Sequence, residues 1–206
     1  MNFIYETKRL KLEILDSSYH REVLDFYYRN RALFEPNEPS KPENYYTERH
    51  MEKTMEYEHR LALKLSLIRY WVWLKENQVD DGRAVKDGCA DANPGTDEGT
   101  RLIGTVAISD VKRGAQSCCQ IGYRFDKDHL RRGYATEALE CLIPEIWRSL
   151  GMHRIEATAL PQNMPSIKLL EKLGFEFEGV AKSSVCICGR WEDHLRYALI
   201  NPGKGS

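Results

Sequence analysis

Apolar residues recur in the first third of the chain with the periods of a strand, two helices and a second strand. Alternation over residues 7–15 predicts an opening strand, with Leu10, Leu12 and Ile14 on one face. Helical spacing follows over 17–30, where Ser17 and Ser18 are candidate caps, and again from Tyr45 to about Leu65. An aromatic and β-branched run then predicts a strand over 67–74.

The second half of the chain alternates strands and helices. The pattern predicts strands over 101–109, 119–125 and 154–160, helices from about 135 to 150 and over 164–173, and a final hairpin of 177–187 with 191–200. This element order predicts an α/β fold in which a mixed, mostly antiparallel sheet carries helices on both faces. We interpret residues 1–206 as a single domain.

Residues 77–100 differ in composition from the rest of the chain. They contain four glycines and a proline, with six acidic residues against Arg83 and Lys86, a net charge of −4 within a chain of net charge −1. We expect a flexible acidic hairpin-loop insertion here. The rest of the chain therefore carries +3. Since the net charge of the whole chain is −1, it has no global basic footprint, and we expect no direct nucleic-acid binding.

Three further patterns concern location and metals. No run of about eighteen apolar residues predicts a membrane span. The N-terminus lacks a signal-peptide core, and the six cysteines form no C-x-x-C, so we expect small buried or half-buried thiols in a cytoplasmic protein. Cys186 and Cys188 form a C-x-C without a histidine at ligand spacing, and we therefore expect no metal.

The turn between the strand ending at Phe125 and the helix after Gly133 is the most informative stretch. Arg131, Arg132 and Gly133 stand where the helix begins, and a helix start presents unpaired N–H groups and positive dipole charge. A glycine also permits close approach of a ligand. The turn is therefore either an ordinary solvated one or a pyrophosphate site; it matches neither a Walker A loop nor a dinucleotide fingerprint.

Two motifs decide between these interpretations. R-R-G-Y-A-T-E-A-L, over 131–139, resembles the acetyl-coenzyme A pyrophosphate loop of the GNAT acetyltransferase superfamily. About thirty residues later, the run from Asn163 to Phe175 resembles the second GNAT signature, N-x-x-S-x-x-L-x-E-K-x-G-F. The resemblance implies the GNAT fold, with a splayed central strand pair, and acetyl-coenzyme A (acetyl-CoA) as the acetyl donor.

The resemblance also implies which residues bind acetyl-CoA. The pantetheine arm would lie along the strand before the turn, lined by Ile121, Gly122, Tyr123, Arg124 and Phe125. The pyrophosphate would be bound by Arg131, Arg132, Gly133, Tyr134, Ala135 and Thr136, while Asn163 and Ser166 would complete the site. Gly122 fits a strand bulge or serves the twist of the turn. Leu130 departs from the motif, which usually has Gln or Arg there.

One branch of the superfamily, the ribosomal-protein alanine N-acetyltransferases, is similar to this chain on the acceptor side. Its members have proline-Trp-Glu-Pro after the first helix; here Asn37 replaces the tryptophan and Glu38 matches the glutamate. Glu38 is our candidate base. Many GNAT enzymes use a tyrosine as general acid at the position of Leu170, which leaves Ser166 as the candidate donor to the departing thiolate. Trp191 to His194 resembles the branch's W-x-D-H, where the histidine is structural or catalytic.

Three functions are compatible with these patterns. The first is acetylation of a protein N-terminal α-amine, as on a ribosomal protein, and the second is acetylation of a small amine such as a polyamine, antibiotic or amino acid. The third is a non-catalytic module that senses acetyl-CoA. We expect a monomer or homodimer whose partners are acetyl-CoA and the acceptor amine, without a membrane.

Overall fold

A computed structural model describes residues 1–75 and 101–204, so the predicted acidic insertion at 77–100 lies outside the described residues. The strands are β1 (Ile4–Glu6), β2 (Leu10–Glu13), β3 (Ile68–Leu74), β4 (Arg101–Lys112), β5 (Cys118–Phe125), β6 (Arg154–Ala159), β7 (Glu176–Ile187) and β8 (Arg190–Ile200). The α-helices are α1 (His20–Phe34), α2 (Glu48–Leu63), α3 (Tyr134–Glu145) and α4 (Met164–Lys172). A π-helical turn over Ile146–Leu150 extends α3 to the predicted end.

The strands form one sheet in the order β1-β2-β3-β4-β5-β6-β8-β7. Within the described residues, neighbouring strands pair antiparallel except β5 and β6, which are parallel because α3 crosses over between them. The prediction of a mixed, mostly antiparallel sheet is therefore confirmed.

Alternation along the central strands gives the sheet two apolar faces. Tyr70 and Val72 of β3 point into the larger core with α3 and α4, whereas Trp71 and Trp73 point into a second core with α1 and α2. Helices therefore cover both faces, as predicted, because β3 is apolar at consecutive positions and must be buried on both sides.

The ends of several elements differ from the sequence prediction. β1 is an additional strand that forms a hairpin with β2, and it was missed because its three residues are largely exposed and show no apolar alternation. Asp16, rather than Ser17 or Ser18, caps the turn before α1 by accepting a hydrogen bond from the Ser18 backbone N–H. Thr47 caps α2, so this helix begins three residues after Tyr45.

The parallel pair of β5 and β6 separates after a short ladder. Within the described residues, pairing runs only from Cys118–Arg154 to Gln120–Glu156, although β5 continues to Phe125 and β6 to Ala159. The bulge that we considered at Gly122 is not there, because Gly122 pairs regularly with Ala107. The register shift of this hairpin instead lies in β4, between Ser109 and Lys112, where Asp110 has a φ of 49°.

Two other sequence expectations can be compared with the structure. Cys118 and Cys119 are buried as expected, but Cys186 and Cys188 are exposed because they lie at the tip of the β7–β8 hairpin, away from both cores. Among the described residues, no helix is both long enough and apolar enough to cross a membrane.

Candidate active site

The loop before α3 has an irregular backbone with two left-handed residues. Arg131 and Gly133 are both left-handed, with φ of 61° and 79°. Gly133 is the N-cap of α3, and no side chain caps this helix. Arg131 and Arg132 are exposed and directly precede the uncapped first-turn N–H groups of α3, a combination that suits a pyrophosphate. Tyr134 is buried, so its contribution to such a site comes from the backbone.

Arg9 braces this loop from the β1–β2 hairpin. Its Nε donates to Glu137 Oε2 at 2.6 Å, its Nη1 donates to the Arg132 carbonyl at 2.9 Å, and its guanidinium lies 4.4 Å from the centre of the Tyr134 ring. Glu137 also accepts from the Thr7 hydroxyl at 2.6 Å. Burial disfavours the charge on Glu137, but the hydrogen bonds from Thr7 and Arg9 outweigh it and lower its pKa. The loop is therefore held by a charged network that the motif alone did not indicate.

We expect the loss of this brace to weaken acetyl-CoA binding without unfolding the protein. In Arg9→Met the apolar stem remains, but the bonds to Arg132 and Glu137 are lost, so the loop must be ordered by the ligand. The expected rise in Kd, measured by calorimetry, is about 5- to 20-fold. Arg21→Met removes an arginine from the exposed pair with Glu48 and should leave Kd unchanged. Equal affinities for Arg9→Met and wild type would exclude this role.

A second network joins α1 to the start of the same loop. Asp126 is fully buried and accepts from Arg29 Nε at 2.7 Å, from Asn30 Nδ2 at 3.1 Å and from the Asp128 backbone at 2.9 Å, with His129 Nδ1 at 3.2 Å. Burial opposes ionisation of Asp126, yet the hydrogen bonds from His129, Arg29 and Asn30 hold its pKa far below the ordinary range. The chain between β5 and α3 is thus anchored at both ends.

The donor side of the site lies where β5 leaves β6. Ser166 is in the first turn of α4, and Asn163 caps this helix by accepting from the Ser166 backbone N–H at 3.2 Å. Asn163 therefore has a structural role at the start of α4. The Ser166 hydroxyl lies 2.8 Å from the hydroxyl of Tyr123, which belongs to the unpaired part of β5. The structure thus brings Ser166 to one of the residues predicted to line the pantetheine arm.

The acceptor side is formed by the segment after α1. Glu38 accepts hydrogen bonds from Arg124 Nε and Lys41 Nζ, and its side chain is 12% exposed. Asn37, which stands in place of the branch's tryptophan, donates from Nδ2 to the Leu33 carbonyl at 3.0 Å and so stabilises the end of α1. Glu38 is therefore held against Arg124 of β5, the residue that follows Tyr123 in the sequence.

The two candidate catalytic residues approach β5 from opposite faces. Consecutive strand residues point to opposite sides of a sheet, so Tyr123 points towards α4 and Ser166 while Arg124 points towards α1 and Glu38. Between them, the backbone of 121–125 has no partner strand on the β6 side within the described residues. A thioester lying along this edge would have Ser166 on one side and Glu38 on the other.

The remaining candidates have structural contacts. Leu170 is buried in the core beneath α4, so the position of the family tyrosine is apolar here. His194 is 9% exposed and its Nδ1 lies 3.4 Å from the Ser184 hydroxyl across the β7–β8 hairpin. Asp193 accepts from the Ser183 backbone N–H at 2.7 Å, where Ser183 has a φ of 46°. Both contacts secure an irregular part of this hairpin.

Sequence reasoning named most of the loop and strand residues but missed their supports. Arg9, Lys41 and Asp126 were not among the predicted site residues. The strongest available signal was an acidic residue inside the loop motif, Glu137, which required a partner that the sequence could not identify. The proximity of Tyr123 to Ser166 was likewise not predicted.

A parallel strand pair that splays beside the N-terminus of the following helix is characteristic of the GNAT acetyltransferase fold. Comparison with known families gives the same class: residues 31–176 match the acetyltransferase (GNAT) domain. The chain therefore belongs to the GNAT acetyltransferase family. Its relatives are named N-acetyltransferases, which identifies it as an enzyme of this class.

Individual relatives cover almost the whole chain. It is 34% identical to a probable N-acetyltransferase of Bacillus subtilis, YjcK, over 93% of this chain and 92% of the relative. It is 31% identical to the [ribosomal protein uS5]-alanine N-acetyltransferase of Escherichia coli, over 95% and 90% of the two chains. Mycobacterium smegmatis RimJ, solved in complex with CoA-disulfide, has the same fold, with a TM-score of 0.80 at 21% identity over 98% of this chain and 89% of RimJ.

Proposed function

We propose that this protein transfers the acetyl group of acetyl-CoA to the N-terminal α-amine of a ribosomal protein. The acetyl-transfer part rests on one observation. Where β5 separates from β6, Ser166 and Glu38 contact β5 from opposite faces of the sheet, and this unpaired part of β5 leads into the loop before α3. The acceptor is suggested by the relative from E. coli, which acts on an alanine of ribosomal protein uS5.

Acetyl-CoA would bind along two elements. The pyrophosphate would accept hydrogen bonds from the first-turn N–H groups of α3, with Arg131 and Arg132 adding charge. The pantetheine arm would lie in the gap between β5 and β6 and pair with the free backbone edge of 121–125, in the manner of an added strand. Asn163 and Ser166 would border the thioester end of the arm.

The same strand edge would activate the thioester. A backbone N–H of 121–125 that points away from β4 can donate to the thioester carbonyl, whose oxygen gains negative charge as the amine attacks. The strand is held in place by its ladder with β4, so this donor does not have to reorganise during the reaction. Positioning of the two reactants supplies much of the remaining rate enhancement.

The proton of the attacking amine would be taken up on the Glu38 side. A carboxylate offers about four acceptor positions, so Glu38 can bind Arg124 and Lys41 and still accept from a water molecule or the amine. On the other side, the hydroxyl of Ser166 would donate to the sulfur as the carbon–sulfur bond breaks.

A carboxylate is a weak base, so a site that relies on one favours an α-amine over a lysine side chain as the acceptor. An α-amine with a pKa of about 7.7–8.0 is roughly one-third unprotonated at pH 7.5, whereas a lysine with a pKa of about 10.4 is free to only about one part in a thousand. A site without a strong base therefore acts more readily on a protein N-terminus.

The proposal is tested with two synthetic peptides of one sequence that begins with alanine and contains one internal lysine. In one peptide the α-amine is free, and in the other it is formylated. We expect thiol release from acetyl-CoA only with the free peptide, and mass spectrometry should place the acetyl group on the alanine. Unacetylated ribosomal protein uS5 serves as the full-length acceptor.

The other possible functions give different results in the same assay. Turnover with a polyamine, an antibiotic or an amino acid, but with neither peptide nor uS5, would replace the proposed acceptor by a small amine. Acetyl-CoA binding in calorimetry without turnover of any amine would contradict catalysis and indicate a sensor of acetyl-CoA.

A further inference from the structure

The Tyr123–Ser166 contact joins the strand edge of the site to α4. The two hydroxyl oxygens are 2.8 Å apart, and Tyr123 Oη is also 3.4 Å from the Ser166 carbonyl oxygen. Tyr123 is half-buried and lies three residues beyond Gln120, where the ladder between β5 and β6 ends. The phenol therefore links β5, beyond the end of its ladder with β6, to the first turn of α4.

The direction of this hydrogen bond decides what Ser166 can do. If Ser166 donates to Tyr123, its only hydrogen is engaged and cannot reach a departing sulfur. If Tyr123 donates to Ser166, the serine hydrogen is free to turn towards the sulfur. A phenol is more acidic than an aliphatic alcohol and is the better donor, so the second arrangement is favoured.

We propose that Tyr123 is a positioning residue for the reaction: its hydroxyl donates to Ser166 Oγ and directs the serine hydrogen towards the leaving sulfur of the thioester. This inference rests on the proposed function, which identifies Ser166 as the donor. In this chain the phenol comes from β5, whereas α4 has the buried Leu170 at the position where many GNAT enzymes place a tyrosine.

The protons and electrons of the step balance without deprotonation of Tyr123. The amine nitrogen forms a bond to the acetyl carbon, and the carbon–sulfur pair leaves on sulfur. Burial raises the pKa of Tyr123 to about 12, against the opposing effect of Ser166, while an ordinary thiol has a pKa of about 8.5. Tyr123 therefore keeps its proton. The nitrogen loses its proton on the Glu38 side, and the thiolate, stabilised by Ser166, is protonated from solvent.

The first test is Tyr123→Phe, which keeps the ring and removes only the hydroxyl. We expect kcat to fall about 5- to 20-fold, with KM for acetyl-CoA within about two-fold of wild type, because the lost interaction matters mainly as the sulfur departs. Tyr70→Phe is the matched control: Tyr70 lies two strands away from Tyr123 and is fully buried, and its hydroxyl donates to the Asn2 carbonyl at 2.7 Å rather than to Ser166. It should leave kcat unchanged.

The second test asks whether Tyr123 acts through Ser166. If it does, adding Tyr123→Phe to Ser166→Ala should lower kcat by less than two-fold, because the group that Tyr123 orients is already gone. Fully additive losses would overturn the inference, as would a loss confined to KM, which would make Tyr123 a binding residue. Thermal unfolding of each variant shows that the kinetic changes come from folded protein.

The same experiment separates this inference from the proposed function. The cycle can be measured with whichever amine is the acceptor, so a change of acceptor leaves the test intact. Turnover with additive effects overturns only the role of Tyr123. If no amine is acetylated, the result contradicts both the proposed function and this inference.

Discussion

Substituting valine for Gly133 should weaken acetyl-CoA binding at least about 100-fold, because this residue has a φ of 79° and begins α3. A β-branched residue does not adopt this conformation without strain, so the loop would turn its N–H groups away from their common direction. An added Cβ would also lie 3.4 Å from Arg9 Nη2, within the brace of the loop. The phosphate contacts and their support would be lost together.

A matched substitution isolates the effect on the ligand. Gly114 has a φ of 75° in the turn between β4 and β5, and no atom lies within 4 Å of a Cβ added there. Gly114→Val therefore introduces similar backbone strain away from the loop, and we expect it to lower the melting temperature but not the affinity for acetyl-CoA. Calorimetry on both variants distinguishes general strain from loss of the site.

The choice of ligand provides a second comparison. Acetyl-pantetheine lacks the phosphates, so wild type should bind it much more weakly than acetyl-CoA, and Gly133→Val should change that weak binding little. Equal affinity of wild type for the two ligands would show that the pyrophosphate does not bind at this loop. Unchanged acetyl-CoA binding in Gly133→Val would lead to the same conclusion.

The elements around this loop show what local sequence can predict. The motif placed a helix directly after Gly133, and α3 begins at Tyr134. The start of this helix and the strand before it each depend on residues within a few positions of one another. Such short-range patterns carry their own physical signal, so the order of the elements after β1 and the mixed sheet could be predicted without a structure.

The parts that could not be predicted depend on distant residues. Arg9 meets Glu137 across 128 positions, Arg124 meets Glu38 across 86 and Tyr123 meets Ser166 across 43. The sequence shows each of these polar groups but not its partner, since pairing follows from how the sheet brings elements together. The register shift at Asp110 was missed for a related reason: it depends on pairing with β5, whereas Gly122 only looked suitable for it.

The largest expected effects on turnover come from the two candidate catalytic residues. Ser166→Ala should lower kcat by roughly ten- to a thousand-fold and leave acetyl-CoA affinity nearly unchanged, since the hydroxyl matters when the sulfur leaves. The Asn163 cap bonds the backbone N–H of residue 166, which alanine retains, so α4 should keep its start. A parallel rise in the Kd for acetyl-CoA would instead make Ser166 a binding residue.

Glu38→Gln should instead change how turnover depends on pH. If Glu38 accepts the proton, turnover should fall most at low pH, where the free α-amine is scarce, and should approach wild type well above the amine pKa of about 8. Arg124→Gln is the control, because it removes the main partner of Glu38 and keeps the carboxylate. If Glu38 only holds Arg124 in place, both variants should lose the same activity at every pH. Profiles and rates equal to wild type for Glu38→Gln would remove this residue from the reaction, and Asp193 and His194 would then be the titratable pair to test.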